Sequence, residues 1–308
     1  MKGTIIKNLK LTKVIDGDTI KLMLDDKEES IRFACLDTEE SQHGSDKPVT
    51  KAGLEASKWA KAYFGGNEKG IPSSDIRVDI EFDTNDPVKV CLRKLRDNYG
   101  RLLAYVYKSG DKENSNTRMV QEGWSPYFVK YGRSRLYHAQ LMEAEAQAQA
   151  ANLAIWNPDT NKGGNRRDYS SLIPWWYMRD TVVQDYRLYG LQAGAMSVRI
   201  DYDAIVEAAN AGNQITVLCD LQSGINKWTG GGALIYAGSI YQKFNLWIPN
   251  LDSSEAQAIL RLIETRYGSQ GRNYVYVTGE ASLYPPNEQG KPQMVITDVE
   301  QLNDLPPS

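Results

Sequence analysis

The chain is poor in the residues that staple or ligate. Its 308 residues include three cysteines, Cys35, Cys91 and Cys219, which are far apart, odd in number and without a Cys-x-x-Cys spacing. Neither a disulfide framework nor a cysteine-zinc site is written in that pattern. Two histidines, His43 and His138, are too few for a histidine metal cluster or relay. No stretch approaches the ~20 apolar residues that cross a bilayer, so no membrane partner is expected. The first seven residues lack the apolar core of a secretory signal. A removed signal would leave the same start, so cytoplasm and exterior both stay open. Net charge is only −3, from 36 basic and 39 acidic residues, and such a balance argues weakly against a polyanionic partner.

What is present is ordinary globular usage, 41% hydrophobic and 24% charged, over a length that allows two domains. Residues 4–36 read as a β-meander, with β-rich runs at 5–14, 19–24 and 30–35 broken by Asp16-Gly17-Asp18 and Asp25-Asp26-Lys27. From Lys51 the period changes: Ala52, Ala56, Trp59, Ala60 and Tyr63 share one helical stripe, ended by Gly65-Gly66. Strands are predicted again at 76–82, 88–92 and 102–107, with Asp97–Gly100 as the turn before the last. Helices follow at 115–122 and 134–152. Five or so strands with helices among and after them predict a small closed β-barrel of the OB type.

Residues 157–167, rich in Gly and Asn, form the expected linker, so the first domain is placed at 1–158. Residues 159–195 are then linker and an aromatic-rich helix over 169–189. Strands are predicted at 198–202, 215–221, 233–241 and 244–248, a helix at 253–267, and a two-stranded ribbon from 274–284 and 293–299. That pattern spells a second, OB-like barrel at 196–308, an accessory domain that binds nucleic acid or mediates assembly with a protein partner or a second copy. Tyr274 and Tyr276 fall on one face of their strand, as a stacking surface or an interface. Trp175-Trp176-Tyr177 reads as core packing or as a platform for bases.

Chemistry concentrates at two corners of the first domain. Asp16 and Asp18 flank a glycine at a strand end, and Asp37, Thr38, Glu39 and Glu40 follow another strand end. In a meander such ends are neighbours, so Asp18 and Asp37 can converge, and convergent carboxylates call for a hard cation. The same pattern also fits a plain turn and a solvated loop. Arg32 and Arg101 favour the first reading, because guanidiniums beside a metal suit a phosphodiester whose charge builds as water attacks. Arg32 and Asp37 are five apart, an odd strand separation that puts them on opposite faces unless the strand ends between them.

The ordered set Val14–Ile20, then RFACLDTEE from Arg32 to Glu40, then Asp97-Asn98-Tyr99-Gly100-Arg101 running to Val106, resembles the staphylococcal (thermonuclease-like) nuclease family. Support continues through Gly53–Ser57, Met119–Gly123 and Glu143–Gln147, then Leu153–Trp156, so the likeness covers about 4–157. The resemblance implies an α+β fold, an OB-like barrel with helices, and a calcium-dependent phosphodiesterase acting on DNA and RNA and leaving 3'-phosphates. It implies that Asp18, Asp37 and the carbonyl of Thr38 hold Ca2+, with Mg2+ or another divalent ion as the alternative. Glu40 is implied as general base, Arg32 and Arg101 as phosphate and transition-state ligands, and Tyr99 and Tyr131 as nucleotide contacts. Three departures stand out: Glu39 replaces the family's proline, Val129 a second tyrosine, and Asn98 a lysine. Glu39 is then open to adding a metal ligand or competing with Glu40. A non-catalytic scaffold of tandem barrels is the alternative to a nuclease, and the intact site positions argue against it.

The small net charge can now be resolved into parts. Residues 88–135 hold eleven basic against four acidic groups, whereas 14–46 hold three basic against ten acidic. One domain combines an acidic, metal-suited half with a basic, phosphate-suited half, so overall neutrality is no argument against nucleic acid.

Overall fold

Alternating burial builds the first sheet. In β2 (Thr19–Leu24), Ile20, Leu22 and Leu24 point inward, and β1 (Thr4–Val14) and β3 (Lys27–Phe33) flank it antiparallel, with Val14 opposite Ile20 and Thr19 opposite Arg32. Asp25 and Asp26 turn the hairpin with φ of 47° and 62°, a conformation short Asx side chains tolerate. After helix α1 (Lys51–Tyr63) comes β4 (Arg77–Phe82), then helix α2 (Val88–Lys94), then β5 (Leu102–Lys108). β5 runs parallel to β3 and antiparallel to β4, which pairs with β1. The order β1-β2-β3-β5-β4 closes a five-stranded barrel, as the strand pattern predicts. Helices α3 (Ser115–Gln121) and α4 (His138–Ala150) complete this part.

The computed structural model describes residues 2–43, 47–221, 225–227, 231–239, 241–268, 270–287 and 289–306. Ile240 and Glu288, inside a strand and a loop expected above, lie outside the described residues. Residues 88–92 are helix rather than the expected strand. The run Val-Lys-Val-Cys-Leu alternates for too few residues to separate the two periods, and Pro87 before it is suited to a helix start.

The chain divides into two compact units. The first runs to Val129 and again over Arg133–Leu172, so the expected linker at 157–167 is folded into it. The second holds Lys130–Gly132 and everything from Ile173. Helix α5 (Tyr169–Asp185) precedes a two-residue strand β6 (Met196–Ser197), a turn at 198–200 where a strand is expected, and helix α6 (Tyr202–Ala211). Then come β7 (Gln214–Asp220), β8 (Ile225–Lys227), β9 (Gly232–Gly238), β10 (Lys243–Pro249), helix α7 (Ser254–Leu262), β11 (Tyr274–Tyr284), β12 (Lys291–Val295) and β13 (Leu302–Asn303). Among the described residues the second sheet has eight strands, ordered β6-β7-β11-β12-β10-β9-β8 with β13 on β11. Helix α7 starts at Ser253, whose hydroxyl accepts from Ala256 N at 3.1 Å, and packs Ile259 and Leu260 on the core of Val217, Phe244, Leu246 and Val275. Tyr274 and Tyr276 are buried with Tyr186 and Leu218, so the expected stacking face is core. Trp176 is likewise buried, the packing reading of that run.

Candidate active site

Two turns bring the carboxylates of the first unit together. After β3 ends at Phe33, Cys35 adopts a φ of 60° and swings the chain back. Asn116 of α3 pins this turn: its Nδ2 donates to Ala34 O at 2.9 Å, and its Oδ1 accepts from Val106 N at 3.0 Å. Asp37 N then donates to Ser125 Oγ at 2.9 Å. The strand thus ends before its alternation would separate Arg32 from Asp37. Arg32 Nη2 donates to Asp37 Oδ1 at 2.7 Å, and its Nη1 donates to Asp18 Oδ1.

The second turn, residues 15–18, closes directly on the first. Thr38 donates twice to Asp18 Oδ2, from N at 2.9 Å and from Oγ1 at 3.0 Å. Glycine at 17 permits this approach, since a Cβ there would lie 2.8 Å from Thr38 Cγ2. Thr19 Oγ1 donates to Asp18 Oδ1 at 3.1 Å and accepts from Arg101 Nη1 at 3.2 Å. Arg101 is aimed by Asp97, whose Oδ2 takes Nε at 2.7 Å and whose Oδ1 accepts the backbone N–H groups of Tyr99 and Arg101, each at 2.9 Å. Tyr99 is exposed, with the Arg101 guanidinium 5.4 Å from its ring centre.

Charge is unevenly compensated across this cluster. Burial would push the Asp37 carboxyl up, but Arg167, Lys47 and Arg32 hold it well below the usual carboxylate range. Arg167 Nη2 bonds Asp37 Oδ2, its Nη1 donates to Asp37 O at 3.2 Å, and Lys47 Nζ lies 3.2 Å from Oδ2. Asp16 is in the opposite situation: burial first, and the Asp18 carboxylate second, push it up to about 7. Burial alone would lower the Arg32 guanidinium, which Asp18 and Asp37 instead hold well above its ordinary value. Glu40 is partly open, its Oε1 3.8 Å from Lys47 Nζ. Its backbone is wedged by α1, where a Cβ on Gly53 would lie 2.1 Å from Glu40 O.

Asp18, Arg32, Asp37, Thr38, Glu40 and Arg101, all expected from sequence, are thus brought together, with Tyr99 at the margin. Tyr131 belongs to the second unit, where Arg199 and Arg179 stand 4.2 and 5.6 Å from its ring centre. Sequence reasoning does not find Lys47 or Arg167, which lie in a polar loop and in the supposed linker and carry no local pattern. Among the described residues no group of three or more acidic, histidine or cysteine side chains is arranged to hold a metal. Asp18 and Asp37 converge on Arg32, and carboxylate oxygens are ligands of the kind that calcium or magnesium takes. After burial, the Asp18 carboxylate contributes to the raised Asp16 carboxyl, and a bound cation would relieve that part.

Comparison with known proteins agrees with this picture. The staphylococcal nuclease homologue family matches residues 30–158, which takes in Arg32, Asp37, Glu40 and Arg101 and leaves Asp18 ahead of the match. Endonuclease YncB of Bacillus subtilis (strain 168) is 31% identical over 161 residues, 51% of this chain and 67% of that protein. The thermonuclease of Staphylococcus hyicus is 31% identical over 149 residues, covering 48% of this chain and 75% of that protein. That of Staphylococcus intermedius is 32% identical over 144 residues, covering 47% and 73%. With these relatives and a closed five-stranded barrel, the chain belongs to the staphylococcal nuclease homologue family.

Proposed function

We propose that the chain is a nuclease dependent on a divalent metal, with calcium preferred, that hydrolyses phosphodiester bonds of DNA and RNA and leaves 3'-phosphates. The observation that carries this reading is the convergence of Asp18 and Asp37 on Arg32, with Arg101 and Glu40 beside them. Asp18, Asp37 and the Thr38 carbonyl would hold the ion, which supplies Lewis-acid polarisation of the phosphate when bound. Glu40, the carboxylate left partly open, accepts the proton of the attacking water. Arg32 exchanges a carboxylate bond for a phosphoryl oxygen, and Arg101 meets the charge that develops on the far side. Two arginines suit this work because their planar forks match phosphate oxygens bidentately. Exposed Tyr99 is the proposed contact to the nucleotide. Tyr131 is proposed with it on the family resemblance, its ring held against Arg199 and Arg179.

The test is incubation with plasmid, single-stranded DNA and RNA in Ca2+, in Mg2+ and in EDTA. Cleavage in calcium and none in EDTA is expected, with product ends extended by a polymerase only after phosphatase treatment. Binding without cleavage in every metal overturns the proposal in favour of a scaffold. Direct extension overturns the assignment of the ends.

A further inference from the structure

The residue that departs from the family pattern inside the Asp37–Glu40 loop is also held from outside the family domain. Glu39 is 5% exposed, and both of its carboxylate oxygens are occupied. Asn161 Nδ2 donates to Oε2 at 2.9 Å, and Tyr169 OH donates to Oε1 at 3.1 Å. Asn161 is fixed at its other end, where Oδ1 accepts from Ala52 N at 3.0 Å in the first turn of α1. Arg167, between those two residues in sequence, holds the carboxylate and the carbonyl of Asp37. Asn161, Arg167 and Tyr169 all lie beyond residue 158, where the family match ends. Three side chains of one short segment therefore grip two of the four residues Asp37–Glu40 and tie them to the helix that wedges Glu40.

We propose that Glu39, Asn161, Arg167 and Tyr169 form a latch that positions the Asp37–Glu40 loop for metal binding and water activation, a role that rests on the nuclease reading above. Glu39 is a positioning residue: with both oxygens bonded it is neither a metal ligand nor a rival to Glu40. A loop that carries a metal ligand at one end and the general base at the other needs its backbone fixed, and partners that orient ligands typically account for ~10 to 100-fold in metal affinity or activity. Here the fixing is done by side chains arriving from more than 120 residues away in sequence.

The geometry of the Glu39–Asn161 bond supplies a swap test on the full chain. Asn161→Asp sets carboxylate against the Glu39 carboxylate, while Glu39→Gln can turn its carbonyl to Asn161 Nδ2 and then sets its NH2 toward the Tyr169 hydroxyl in place of an acceptor. The double variant restores one donor and one acceptor with roles reversed, while the carboxylate introduced at position 161 still accepts from Ala52 N. Two readouts are taken: the calcium concentration that half-saturates thermal stabilisation, and kcat and KM on a fluorescent oligonucleotide. Asn161→Asp should raise the calcium midpoint and lower kcat by ~10 to 100-fold with KM near wild type, Glu39→Gln should move both the same way by less, and the double variant should recover most of the Asn161→Asp loss. Tyr169→Phe should move both in the same direction by less. Single variants that melt earlier but keep the wild-type calcium midpoint and kcat overturn the latch, leaving a brace for the fold alone. A double variant no better than the worse single also overturns it. A wild-type protein that neither cleaves nor gains stability with any metal overturns the nuclease reading, and the latch with it.

Discussion

Each unit buries an arginine against aspartate, and the two are built to different ends. In the second unit Arg179 has no exposed side-chain surface; it meets Asp220 through Nη2 at 2.8 Å and Nη1 at 3.3 Å, gives Nε to Lys130 O at 3.1 Å, and lies 4.3 Å from the Tyr274 ring centre. Every direction of that guanidinium is spent on its own unit. In the first unit Arg32 divides its two ends between Asp18 and Asp37, while burial first and the Asp18 carboxylate second raise the neighbouring Asp16. Burial and pairing alone do not mark a site, because both arginines have them. What differs is that Arg32 bridges carboxylates from two separate turns, with Arg101 and the partly open Glu40 beside them.

That contrast is broken or sharpened by four variants. Glu40→Gln should lose ~10² to 10⁴ in kcat with its unfolding midpoint unchanged; wild-type turnover would remove Glu40 from the mechanism. Arg179→Ala should cost ~3–5 kcal/mol in chemical denaturation, since it removes one partner of an ion pair whose side chains are 0% and 11% exposed; a loss under about 1 kcal/mol, the range of exposed pairs, would show Arg179 to be no structural anchor. Gly53→Ala should lower kcat by ~10², because the methyl must displace the Glu40 backbone and displacements near 1 Å reach that size. Unaltered kcat there would mean that the position of the loop does not matter. The smallest change is expected for Glu145→Gln. Burial raises the Glu145 carboxyl while the Tyr127 N–H it accepts pulls the other way. A raised carboxyl binds its proton more tightly folded than unfolded, so the stability it adds is full at acid pH and is lost as pH rises past the ordinary glutamate value. Urea midpoints across that range should fall less with pH in the glutamine variant than in wild type, and a steeper fall would refute the assignment.

The parts legible in sequence are those with local signals. The meander of β1–β3, the Asp-Gly-Asp corner and the Asp97 turn all announce themselves through period and turn chemistry, and so the residues proposed to hold metal and phosphate can be found by number. Helix α6 escapes a reading by period although Gly212, with a φ of 66°, closes it in the way helices commonly end; the preceding Arg-Ile-Asp-Tyr-Asp alternates like a strand. Residues 157–167 read as a linker because Asn and Gly are turn formers, yet Asn161 and Arg167 bind residues more than 100 positions earlier. No periodicity encodes a contact of that range. Alternation places Tyr274 and Tyr276 correctly on one face, but it cannot tell which face of a sheet is covered.

The crowd of cations on Asp37 has one more consequence, for how the protein is made. In a structural zinc domain the ligands repel until the ion arrives, and folding waits on metal supply. Here Arg32, Lys47 and Arg167 already neutralise Asp37, and Arg32 also serves Asp18. On the proposed mechanism the chain can therefore complete its barrel without the ion and hold the loop ready, and the ion would switch on turnover instead of assembly.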